Sequence, residues 1–382
     1  MVTPITKFAK YLSTVLIGMS LVGCDWWSTP PKSDNNTQPK VVTWSDLPGW
    51  ERDAYEQAWP ALLNNCQAMQ KRKVTAWLTI CQQAQTLNPD RASAKAFFEQ
   101  HFQPQQIMSS EGKTTGFMTG YYEPLLMASY IADERFKYPI YKTPANLLTI
   151  DLGELYPELK DKRVRGRLEG SRVVPYYDRA AIEGDTKPLA GNEILWADNR
   201  DDVFFLHIQG SGRAQLPDGS IIGVGYDNQN GRSYLPIGKV LIERKLVERE
   251  HMNMFTLRAW LDSHPDQAQE ILNQNPSYVF FKLRENVTQG PIGALNVPLV
   301  AERSIAVDPK TIPLGTLLWV DSHYPDSKTP LQKLVFAQDT GGAIRGELRA
   351  DFFYGTGEQA EQWAGRMKQN TQFYQLTPLP IK

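Results

Sequence analysis

From residue 115 onward the chain is broken into short apolar stretches punctuated by Gly, Pro and Asn, and this spacing constrains the fold more than any other feature. The β-like stretches fall at 115–122, 166–174, 204–209 and 221–225, then at 278–282, 304–307, 317–320, 333–338, 347–351 and 373–377. Each has the length of a strand and is bounded by turn formers. No regular crossover helices separate them, which argues against repeated βαβ units and for a small barrel. Helical interruptions are expected at 179–183, 237–244 and 252–262, with one late helix at 358–367.

Ahead of this region the period changes to that of a helix. Tyr55, Trp59, Leu62, Leu63 and Cys66 share one face, and Val74, Trp77, Leu78 and Cys81 share another. A third helix over 93–102 follows the break at Asn88, Pro89 and Asp90. These read as packing helices whose aromatics enter the core. Cys66 and Cys81 are either bridged or two separate buried thiols; an antiparallel helical pair in an oxidising compartment favours the bridge.

The first ten residues carry Lys7 and Lys10 with no acid, and a short apolar run follows over 11–22. That run is too short for an ordinary spanning helix and fits a cleavable signal peptide at 1–23. Leu21, Val22, Gly23 and Cys24 form a lipobox, in which small residues admit the peptidase and the Cys24 thiol is acylated. Each buried methylene contributes about 0.8 kcal/mol, so several chains hold the protein on a membrane. Asp25 after the cysteine looks like the inner-membrane retention signal of enteric-type bacteria, which the neighbouring residue and the species can override, so both membranes stay open here. Residues 24–43 read as a lipidated N terminus and flexible tether, because 28–40 offers almost nothing to bury.

With 41 basic and 42 acidic residues the chain lacks the basic face that nucleic acid requires. The five histidines show no zinc-ligand spacing, and no metal or cofactor is expected. Gly210-Ser211-Gly212 lacks the spacing of a nucleophile elbow, and neither glycine cluster is a dinucleotide fingerprint. Three acids stand out: Asp308, Asp339 and Asp351 each follow an apolar β-like stretch and precede a turn or an aromatic run. Each taken alone reads as a turn cap. A carboxyl beside Phe352, Phe353 and Tyr354 is desolvated, which favours the neutral form that a general acid needs.

Several motifs in a fixed order carry a resemblance: TGYYEP at 119–124, PYYDR at 175–179, FFLHIQGSGR at 204–213, YLPIG at 234–238, GPIGA at 290–294, RSIAVDP at 303–309, PLG at 313–315, and the segments around Asp339 and Asp351. Over roughly 110–365 the chain resembles the membrane-bound lytic murein transglycosylase A family. The resemblance implies a mainly β protein with N-terminal helices, built on a double-psi β-barrel of the barwin and endoglucanase kind with a second, inserted β-domain. By that pattern 44–124 and 277–382 form the catalytic domain, 125–276 forms the insert, and the glycan lies between them.

The implied activity is cleavage of the bond between N-acetylmuramic acid and N-acetylglucosamine in peptidoglycan, leaving 1,6-anhydro ends. The three acids match the family's three-aspartate module, with Asp351 as general acid/base, Asp339 as supporting carboxylate and Asp308 as an organiser of the site. Thr119, Tyr121, Gln209, Gly210, Ser211 and Gly341 are the expected sugar-binding residues, while Arg345 and Arg349 are expected to avoid direct contact with Asp351. The implied partners are glycan strands, a membrane held through Cys24, and envelope synthesis or division complexes, for a monomer facing the periplasm. By resemblance that membrane is the outer one. Two rival readings are a hydrolase that delivers water, recognised by reducing ends, and a glycan-binding module that keeps binding after loss of either acid.

Overall fold

The computed structural model describes residues 39–160, 162 and 164–380, which belong to one compact unit. The expected signal peptide and Cys24 lie outside the described residues. Strand β1 (Lys40–Val41) already pairs with β2 (Phe102–Gln106), so the expected tether over 24–43 is corrected at its end: the backbone of Lys40 and Val41 extends a sheet edge. Between them lie helices α1 (Trp59–Lys71), α2 (Leu78–Thr86) and α3 (Arg91–His101). Pro60 opens α1 where a missing N–H costs nothing, and Asp90 caps α3 by accepting from the Ser93 amide. A disulfide between Cys66 and Cys81 ties α1 to α2.

The chain continues through β3 (Thr115–Glu123), β4 (Leu125–Ser129), β5 (Tyr138–Tyr141), β6 (Leu148–Thr149), β7 (Arg165–Glu169) and β8 (Arg172–Pro175). Helices then enter among the strands: α4 (Arg179–Glu183), β9 (Glu193–Ala197), α5 (Arg200–Gln209), β10 (Ser211–Gln215) and β11 (Ile221–Gln229). Three helices follow, α6 (Ile237–Glu243), α7 (Met254–Ser263) and α8 (Pro265–Asn273), before β12 (Val279–Arg284). The last part comprises β13 (Ser304–Val307), β14 (Leu317–His323), β15 (Pro330–Asp339), β16 (Arg349–Thr356), α9 (Glu358–Arg366) and β17 (Lys368–Pro378). No helix of the described residues is long and apolar enough to cross a membrane.

Six strands close into a ring in the order β17, β14, β15, β13, β16, β3 and back to β17, and β2 and β1 extend it outward from β17. A second sheet runs β12, β11, β10, β4, β9, β5, and β6 to β8 form a small third sheet. This corrects the expected fold class. The protein is a mixed α/β fold around a six-stranded ring sheet; it is neither mainly β nor a double-psi β-barrel, and helices α4 to α8 interrupt the region expected to be a β-domain. The stretch 204–209 shows why: it reads as a strand because it is almost wholly apolar, yet Asn199 caps the amides of Asp201 and Asp202, and Gly210 ends the turn with a positive φ. Helix α5 is buried over most of its length, so no polar stripe advertises its period.

Strand alternation divides the core in two. Leu317, Trp319, Leu334, Phe336, Tyr374 and Leu376 point outward against the N-terminal helices, where they meet Trp50, Leu62, Phe98 and Phe102. Their neighbours Leu318, Val320, Val335 and Phe373 point inward and fill the ring with Met118, Ile305, Val307, Ala350 and Phe352. Burying each large side chain contributes about 1.5–3 kcal/mol. The helices thus cover the outer wall along β14, β15 and β17. The outer wall of β13, β16 and β3 carries Ala306, Phe353 and Tyr121, which belong to a separate small cluster.

Candidate active site

On that outer wall, one cross-strand row collects the acids. Ala306 of β13 has Asp339 of β15 as its partner on one side and Asp351 of β16 on the other, and Asp351 is in turn the partner of Thr119 on β3. Asp339 reaches this row through a bulge. Ile305 pairs with Ala337, but Ala306 pairs with Asp339, so Gln338 is the extra residue. A bulge of one residue reverses the parity of a strand and turns the next side chain to the opposite face. Without it Asp339 would follow Val335 and Ala337 into the apolar interior. Gln338 is held in the wall instead, accepting from Ser304 Oγ at 2.7 Å and donating to the Ala61 carbonyl at 2.9 Å.

Both carboxylates are half-buried and rest on an apolar floor of Tyr121, Leu299, Ala306, Ile344 and Phe353. Asp339 Oδ2 accepts from Tyr121 OH at 3.0 Å and Oδ1 from the Ala294 amide at 2.9 Å. Burial pushes its carboxyl up to about 6 against the pull of the Ala294 and Thr340 amides and the Tyr121 hydroxyl, with the charge of Asp351 adding to the rise. Burial likewise raises Asp351, while the Thr119 hydroxyl, donating to Oδ1 at 2.6 Å, and the charge of Arg349 work the other way. Tyr121, itself driven upward by burial, stays a donor.

Asp308 does not join the pair. It is buried at the end of β13, where its Oδ2 accepts from the Gly346 amide at 2.8 Å and its Oδ1 from Lys310 at 3.2 Å, fastening the segment between β15 and β16. Gly341 lies in that segment and its carbonyl accepts from Arg345 at 2.7 Å. Gln209, at the end of α5, accepts from the Tyr122 amide at 3.1 Å and so docks the Gly210-Ser211 turn on β3. Gly210 adopts φ +77° and has open space beyond its Cα, whereas Ser211 is buried at the start of β10. Arg349 donates to Thr119 at 2.7 Å.

Tyr234 was not among the residues singled out by sequence. It stands beside Gly342, its hydroxyl is pushed up to about 12 by burial, and the charge of Asp351 acts on it. Its position in the YLPIG segment was the available signal, but a loop aromatic has no periodicity to expose its role. Among the described residues no group of three or more His, Cys, Asp or Glu side chains is arranged to hold a metal ion.

The chain has matches among known families, relatives and solved structures. The MltA specific insert domain matches residues 117–282, and the 3D domain matches 303–377, which contains all three aspartates. The chain is 36% identical over 255 residues to membrane-bound lytic murein transglycosylase A of Escherichia coli K12; the match covers 65% of this chain and 61% of that protein, less than two thirds of the relative's length. The crystal structure of a membrane-bound lytic murein transglycosylase from Agrobacterium tumefaciens superposes with a TM-score of 0.79 at 32% identity, covering 89% of this chain and 97% of that one. MltA from Neisseria gonorrhoeae gives 0.78 at 33% identity over 90% and 93%. The chain belongs to the membrane-bound lytic murein transglycosylase A family and carries its 3D domain over the segment that supplies the carboxylate pair.

Proposed function

We propose that this protein is a peptidoglycan lytic transglycosylase of the cell envelope, with Asp351 as its single general acid/base and Asp339 as the supporting carboxylate. The observation that carries the reading is the row Asp339, Ala306, Asp351, Thr119 on one half-buried wall. Protonated Asp351 gives its proton to the oxygen between N-acetylmuramic acid and N-acetylglucosamine as the C1–O bond breaks. The muramyl ring then has oxocarbenium character. The ionised carboxylate next takes the proton of the C6 hydroxyl while that oxygen bonds to C1, closing the 1,6-anhydro ring and restoring the acid. No water is consumed, unlike the two-carboxylate scheme of common glycosidases. The attacking hydroxyl is already part of the substrate, which removes much of the entropic cost of capturing a nucleophile.

In this reading 44–124 with 277–382 carries the acids, and 125–276 forms the facing wall. Gln209, Gly210, Ser211 and Gly341 border the sugars; Thr119 and Tyr121 reach the substrate from the hydroxyls that also hold the acids. Asp308 keeps the 340–348 segment in place. Acylated Cys24 ties a monomer to the membrane, the outer one by family resemblance, with Asp25 the argument for the inner one.

The test is mass spectrometry of products from purified peptidoglycan. Wild type is expected to release muropeptides ending in 1,6-anhydro-N-acetylmuramic acid, Asp351→Asn to lose at least about a hundredfold in turnover, and Asp339→Asn to lose less. Reducing ends would place the protein among hydrolases instead, and full activity in Asp351→Asn would remove that residue from the mechanism.

A further inference from the structure

Arg349 precedes Asp351 by two residues on β16, and a guanidinium has only N–H groups to offer. Its Nη2 donates to Thr119 Oγ1 at 2.7 Å, and that oxygen lies 2.6 Å from Asp351 Oδ1. Among the described residues Thr119 Oγ1 has no other hydrogen-bond partner, so the one acceptor the protein offers its proton is Oδ1. The chain of donors therefore runs one way, from Arg349 through Thr119 to Asp351. Arg349 is steadied at its other end, where Nη1 donates to the Ala350 carbonyl and the guanidinium lies 5.4 Å from the centre of the Phe117 ring.

We propose that Arg349 is a positioning residue that acts through Thr119: it turns the threonine hydroxyl onto Oδ1 of Asp351 and so leaves Oδ2 as the oxygen that carries the reacting proton. The inference rests on Asp351 being the acid/base. A carboxyl that can protonate on either oxygen presents its proton toward the sugar only part of the time, whereas an occupied Oδ1 fixes the delivery atom before substrate arrives. The charge of Asp351 also acts on Tyr121 of β3, Asp339 of β15, Tyr234 of the loop ahead of α6, and Tyr354, whose side chain packs inside the ring. Burial raises all three tyrosines, so Asp339 is the neighbour besides Arg349 whose charge bears on Asp351 in the working range.

The test uses the full-length protein with Arg349→Met, Thr119→Val and their double variant, beside the donor-retaining Arg349→Lys and Thr119→Ser. Turnover of purified peptidoglycan is followed against pH, and the Asp351 carboxyl is titrated by 13C NMR, which needs no turnover. Each non-donor variant is expected to lower kcat by about 10–100-fold, and Arg349→Met, which removes no group placed on the substrate, to keep KM within about threefold. The carboxyl titration should move upward by about half to one pH unit as the stabilising donors are lost. The double variant should be no worse than the poorer single one, because both break one chain, and Arg349→Lys and Thr119→Ser should recover most of the loss. Additive losses, a rise in KM at unchanged kcat, or an unmoved titration would overturn the relay. Reducing ends from wild type would sink the transglycosylase reading alone, since the NMR titration still decides the relay.

Discussion

Asp339 is a carboxylate held at a thermodynamic disadvantage. Its acid range is pushed from 3.8 to about 6, so between those values the folded protein keeps a proton that the unfolded chain has released. The stability associated with the raised group is complete below about pH 3.8 and is lost as pH rises through about 6. The displacement corresponds to at most about 3 kcal/mol, since each unit is worth about 1.4 kcal/mol. Asp339→Asn keeps the shape and removes the charge. Urea unfolding should show the variant about 1–3 kcal/mol more stable than wild type at pH 7.5 and equal to it near pH 3.5. An equal gain at both values would mean that the substitution acts through packing.

At the scale of elements, the wall that bears the acids depends on a close approach that only glycine permits. A Cβ on Gly120 would stand 2.7 Å from the Tyr354 ring and 3.0 Å from the Ala364 Cα, so β3 and α9 meet there without a side chain between them. Gly120→Ala is expected to cost about 1–3 kcal/mol as an overpacked contact, read from the denaturation midpoint at unchanged m-value. Helix α5 makes a second case, since Asn199 satisfies two amides at its start; Asn199→Ala should lose about 1 kcal/mol. These elements also mark how far the sequence could be read. Strands such as 304–307 and the helices 179–183 and 358–367 carry local signals, and they form close to those positions. Helix α5 hides its period by being buried on most faces, and helix α8 forms beyond the last helix that the sequence predicts in the insert. The adjacency of Asp339 and Asp351 depends on the parity reversal at Gln338, which no propensity encodes, and on strands that pair across long separations.

For the whole molecule the decisive fact is closure. The ring joins β3 to β16 and β17, so contacts across more than two hundred residues define it, as in the Thr119–Asp351 bond with its separation of 232. The N-terminal segment is fastened to the same ring by a buried pair: Arg303 grips Asp53 with both nitrogens at 2.7 and 2.8 Å, and Asp53 also accepts from the Leu334 amide. Removing one partner strands the other charge in the interior, so Arg303→Met should cost about 3–5 kcal/mol, and the double variant Asp53→Leu with Arg303→Met should recover much of it. Equal losses in the single and double variants, measured by equilibrium unfolding, would show that the pair has no such coupling.

Closure also imposes an order of events. Strand β3 takes its place from β16 on one side and from β17, residues Lys368–Pro378, on the other. The two acids share a wall once β13, β15 and β16 have paired, but Thr119 and its strand are held on both edges only after β17, the last strand, has docked. For the transglycosylase proposed above, connectivity thereby acts as a safeguard: a partly emerged chain is blunt, and its edge is set firm only once the last strand has closed the ring.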